Sequence, residues 1–190
     1  MRKRKTFIAM GIFIAILVLG VGYAAVNNIN LVLNGTANVL ANADFTVEFD
    51  TTHEVAVTPT GNITWPDGDK AIVAGEYTDA LKATMTVNLD ATHTSATAVY
   101  KIVNKSADLK AKLEATITKD FAAADYLTVT YEFYKDEECT QVLGTDPVNA
   151  NTGEAYLKVI VALDKQPASD ITNEEFTITV TASPVDSENI

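Results

Sequence analysis

The sequence predicts an all-β protein, a sandwich or jelly-roll-like β-sandwich of about eight or nine strands, preceded by an N-terminal signal or apolar helix. Three observations predict it. In run after run, apolar residues occupy every second position, the period of a strand with one face in a core and one in water. β-Branched and aromatic side chains dominate those runs, as they do in pleated, half-buried surfaces. Between them stand clusters of Pro, Gly, Asn and Asp, such as WPDGD (residues 65–69) and GTDPVNANTG (residues 144–153), which initiate turns.

The chain begins with a basic stretch, Arg2, Lys3, Arg4 and Lys5, followed by Phe7 to Val26 without a charge. This order is that of an export signal. Gly22-Tyr23-Ala24 puts small residues where a signal peptidase reads them, so cleavage is expected between Ala24 and Ala25. The alternative is a retained anchor, since about twenty apolar residues cross a bilayer. Either way the basic flank leaves the remainder outside the cell, secreted or associated with the cell surface. Removing residues 1–24 takes four of the 14 basic residues and none of the 25 acidic ones, leaving a net charge of −15. Such a chain has no electrostatic attraction to nucleic acid or to anionic lipid, so membrane contact is confined to the signal or anchor. Cys139 is the single cysteine, so no internal disulfide staples the domain and the core must hold it.

Residues 25–43 read as an N-terminal extension and residues 44–190 as one sandwich domain, a length that a single all-β unit commonly reaches. In the extension, Ile29, Leu31 and Leu33 alternate with Asn28 and Asn30. In the domain, strands are predicted around Phe45 to Phe49, Thr84 to Leu89, Tyr100 to Ile102, Leu127 to Phe133, Leu157 to Leu163 and Phe176 to Ala182. Segment 107–118 is ambiguous. Leu109, Leu113 and Ile117 lie four apart as on a helix, yet Leu109, Ala111, Leu113, Ala115 and Ile117 also alternate strictly with polar residues, which favours a strand. A short helix is expected near Asp120 to Asp125 or around Thr78 to Leu81.

Patterns that carry chemistry are sparse. His53 and His93 are the two histidines, and His53-Glu54 is followed by Val57 where a metalloprotease helix needs its second histidine. Cys139 follows the acidic run KDEE, which disfavours a thiolate. No G-x-S-x-G elbow or Gly-rich phosphate loop is present, and Asp67-Gly68-Asp69 lacks the later ligands of a calcium loop. Asn34, Asn62 and Asn104 open triplets of the glycosylation type, which arise often by chance. The sequence therefore assigns no catalytic residue, no metal and no cofactor.

Four segments together carry a resemblance: GYAAV at the end of the signal, INLVLNGTANV after it, YKIVNKSADLKAKLEATI at the centre and EEFTITVTA near the end. With them the chain resembles the TasA/camelysin family of exported Gram-positive proteins over nearly its whole length. The resemblance implies a jelly-roll β-sandwich and a structural role in extracellular, biofilm-matrix fibres built from copies of one subunit. It also implies growth by donor-strand exchange, in which an N-terminal strand completes the sheet of the next subunit. Ile29, Leu31 and Leu33 are then the donor anchors. The camelysin side of the family implies a secreted metallopeptidase, for which this sequence shows no zinc signature. A monomeric, surface-anchored binding module is a further alternative. Burying three apolar anchors returns less than ordering the strand costs, so this segment orders only where a groove and an open sheet edge add hydrogen bonds. Whether its own domain or a neighbour supplies that edge is open at this level, and a short tether favours its own.

Overall fold

The computed structural model describes residues 26–37, 45–65, 68–119, 125–169, 171–172 and 175–185. The signal segment with Ala24 and Ala25, and the helix expected at Asp120 to Asp125 apart from Asp125 itself, lie outside the described residues. What is described is almost wholly β. In chain order the strands are β1 (Val26–Ala37), β2 (Val47–Phe49), β3 (Ala56–Thr58), β4 (Asn62–Trp65), β5 (Gly68–Ala71), β6 (Val73–Asp79) and β7 (Lys82–Leu89). They continue with β8 (Ser95–Asn104), β9 (Lys110–Lys119), β10 (Leu127–Tyr134), β11 (Gly153–Leu163), β12 (Ile171–Thr172) and β13 (Glu175–Val185).

Two open sheets share one core. The first runs β6, β7, β1, β13, β9, with β12 also on β1, and the second runs β10, β11, β8, β2, with β3 also on β8. Their inner faces meet in a continuous cluster that includes Leu33, Met85, Val87, Tyr100, Leu127, Leu157, Val159, Phe176 and Ile178. Tyr100 ties the sheets together: its ring is fully buried and its hydroxyl donates to the Thr84 carbonyl of the opposite sheet at 2.9 Å. Burial drives its phenol pKa upward. Glycine is required at residue 75 because an added Cβ would lie 2.7 Å from Val55 Cγ1 and 3.0 Å from the Tyr100 hydroxyl.

Strict alternation resolves segment 107–118 as β9, which pairs with β13 over its whole length. Thr78 to Leu81 is not a helix. The Asp79 carboxylate accepts the Leu81 N–H at 2.7 Å, closing a tight turn between β6 and β7. Thirteen strands among the described residues exceed the eight or nine expected, and the surplus is β3, β4, β5, β6 and β12. Most of these are two to four residues long, too short for a periodic signal. β4 and β5 form a separate hairpin with its own small cluster of Ile63, Trp65 and Ile72.

Candidate functional site

β1 does not stand apart from the sandwich. It pairs antiparallel with β7 on one side and parallel with β13 on the other, and so occupies the middle of the first sheet. Of the two seats open to it, the single chain offers its own. The alternation of Asn27 to Gly35 explains the register. Leu33 lies opposite Ala83 and Ile178, Leu31 opposite Met85 and Phe176, and Ile29 opposite Val87. Leu33 and all five of these partners are fully buried. On the outer face Val32 stands between Thr84 and Thr177, and Asn34 between Lys82 and Thr179.

The seat depends on β1 for both its floor and its edges. Without β1, the sheet would divide into β6–β7 and β13–β9, each with a newly unpaired margin. Unpaired strand margins template the addition of a strand from elsewhere. That Ile29, Leu31 and Leu33 lie on one strand was legible from alternation. The residues opposite them were not, because nothing in the sequence says that β7 and β13 flank β1.

The titratable side chains gather elsewhere, on the outer face of the second sheet. Lys101 on β8 contacts Glu154 at 2.7 Å and Asp50 at 3.4 Å. The bond to Glu154 holds the Lys101 ammonium above its ordinary pKa, and the same bond holds Glu154 below its own. Asp50 is held low chiefly by the Thr52 hydroxyl. Tyr156 donates to Glu154 at 3.0 Å, and burial together with this carboxylate pushes its phenol to about 12. His53 packs edge-on to Tyr156, places Nε2 3.5 Å from Glu137, and shares a 2.8 Å hydrogen bond between Nδ1 and the Glu54 carbonyl. His93 lies in a different loop, where it contacts Asp90 at 3.0 Å. Among the described residues no group of three or more His, Cys, Asp and Glu is placed to hold a metal ion. Burial, with Asp136, Glu138 and Glu137 nearby, raises the Cys139 thiol pKa against the pull of Lys158. These groups satisfy one another as ion pairs and turn contacts.

Asn104 is a residue whose role the sequence did not reveal. It is fully buried, and its amide donates to the carbonyls of Leu109 at 2.8 Å, Asn149 at 3.0 Å and Val148 at 3.3 Å. Its side-chain oxygen accepts the Ser106 N–H at 3.1 Å, and Ser106 in turn accepts the Thr46 N–H at 2.9 Å. In the folded chain this triplet is a structural knot, closed to a glycan. Gly153 belongs to the same corner, where an added Cβ would fall 2.2 Å from the Asn149 carbonyl oxygen.

No protein-family model matches the chain, and no curated protein sequence matches it.

Proposed function

We propose that the chain is an exported structural subunit of an extracellular fibre or surface matrix, and that its principal partner is another copy of itself. One observation carries the proposal: β1 is central in its sheet, yet along the chain it is the first of the described strands, joined onward only through residues 38–44. A central strand from the middle of a chain is held at both ends. In this reading β1 can leave its seat with β6–β7 and β13–β9 still paired, while the two-residue β12 loses the strand it pairs with.

In this reading the folded single chain is the closed form of the subunit, a jelly-roll-like sandwich that fills its own groove. Exchange moves β1 into the same groove on the next copy, which conserves every contact and makes the step a low-cost one. The competition is set by concentration, since the tether gives the closed form an effective concentration in the millimolar range. Cleavage between Ala24 and Ala25 leaves Ala25 alone ahead of Val26, so the strand has a free end to thread. The acidic surface keeps the exported subunit soluble until it assembles. The TasA/camelysin resemblance of the sequence around β1 and β13 points to the same role.

The test is negative-stain microscopy of the secreted protein over a concentration series. Filaments are expected to appear as concentration rises and to be suppressed by an excess of synthetic peptide spanning residues 26–37. Only monomer at every concentration, or filaments indifferent to the peptide, would remove the basis for this reading.

A further inference from the structure

Exchange of β1 is limited by the length of chain behind it. Residues 38–44 put eight Cα–Cα steps between Ala37, the last residue of β1, and Phe45, where the described domain resumes. Fully extended, eight steps span at most about 28 Å. That reach holds whatever path the connection takes.

Both ends of the connection open at one end of the sandwich, here termed the link end. Ala37 pairs with Ala182 of β13. Ala182 and Val180 line a small apolar hollow together with Val47 and Phe49 of β2, Ile102 of β8 and Leu81 of the β6–β7 turn. The Phe49 N–H donates to the Ala80 carbonyl of that turn at 2.8 Å, which holds β2 against it. The far end is where β1 starts: Val26 pairs with Leu89, beside the turn that joins β7 to β8. The 12 residues of β1 separate the two ends by roughly 35 Å.

These two lengths decide how exchanging copies can meet. In a stack running end to end along β1, the link end of the donor would abut the far end of the acceptor. The donor's Phe45 would then stand at that far end while its Ala37 sat at the acceptor's link end. The separation of roughly 35 Å exceeds the reach of about 28 Å.

We propose that copies exchanging β1 meet link end to link end, with Leu81 of each buried in the contact. The inference rests on the exchange reading, and exchange itself selects a second copy as the occupant, because the chain that receives β1 is tethered there. The surface suits the contact. Leu81, one of two large apolar side chains that stand out as exposed, is 46 % exposed and flanks the apolar hollow. Glu48 at the rim of that hollow is paired with Lys105, and Lys82 stands opposite Asp79 beside the turn. Opposed charges in pairs limit the repulsion between two chains of formal charge −11.

The arrangement is testable by cross-linking in a Cys139→Ser background. Leu81→Cys puts a single thiol at the link end and Ala91→Cys puts one at the far end, both at exposed positions. A short-armed bismaleimide is added to assemblies grown from each chain and from an equal mixture. Leu81→Cys chains alone should give several-fold more covalent dimer than Ala91→Cys chains, and the mixture should add no species joining positions 81 and 91. Filaments cross-linked mainly between positions 81 and 91 would overturn this contact and leave the fibre reading standing. Closed pairs joined through position 81, without filaments, would sustain the contact and overturn the fibre reading. Monomer at every concentration would overturn both. Leu81→Lys should raise the concentration at which assembly begins several-fold with the circular dichroism spectrum unchanged, and an unmoved threshold would overturn the contact at Leu81.

Discussion

Asn104 offers one amide to three carbonyls, so its removal is felt on two loops at once. Asn104→Ala should cost about 2–3 kcal/mol, because the Leu109 and Asn149 carbonyls lose their donor and the buried Ser106 N–H its acceptor, while the Val148 carbonyl keeps the Ala111 N–H. A thermal melt followed by circular dichroism should show a midpoint roughly 5–10 °C lower. Asn104→Asp should be no better, since an acceptor cannot serve other acceptors. In the sequence, Asn104-Lys105-Ser106 reads only as a glycosylation-type triplet of the kind that arises often by chance. Its true partners at Val148 and Asn149 lie 44 and 45 residues away, and no local pattern announces a contact of that range. His53 is alike in this: its contacts, Glu137 at 3.5 Å and the Tyr156 ring, are distant in sequence and no local pattern announces them.

At the scale of the element, β1 is the clearest product of pattern. Alternation placed Leu33 on a buried face, and the fold buries it completely between Ala83 and Ile178. Leu33→Ala should therefore destabilise the closed subunit by about 2–5 kcal/mol, the range for a leucine whose site cannot collapse. Urea denaturation would show it as a lower midpoint at unchanged slope. β9 was legible for the same reason, because its period of two runs unbroken where the helical reading relied on three leucine-type positions. β6 was not legible. Gly75 interrupts its inward row between Val73 and Tyr77, and glycine is there for the close approach of Val55 and Tyr100, a tertiary demand. Strand order also lay beyond the sequence. The parallel pairing of β1 with β13 joins the first and last strands of the described chain, and both alternate in the same way as several other strands.

At the scale of the whole molecule, the fibre reading turns on a single strand. β1 exchange swaps a strand already present in every subunit. Repeated from copy to copy, it makes a chain of subunits. The central claim is that β1 can leave its own seat, and a reversible lock tests it most directly. Val32 and Thr84 are facing residues on the outer side of the β1–β7 ladder, at a separation that suits a disulfide. In a Cys139→Ser background, Val32→Cys/Thr84→Cys chains oxidised while monomeric should remain free of filaments by negative stain, and reduction should restore them. Normal filaments from fully oxidised chains would contradict exchange, since β1 would then have stayed at home throughout assembly.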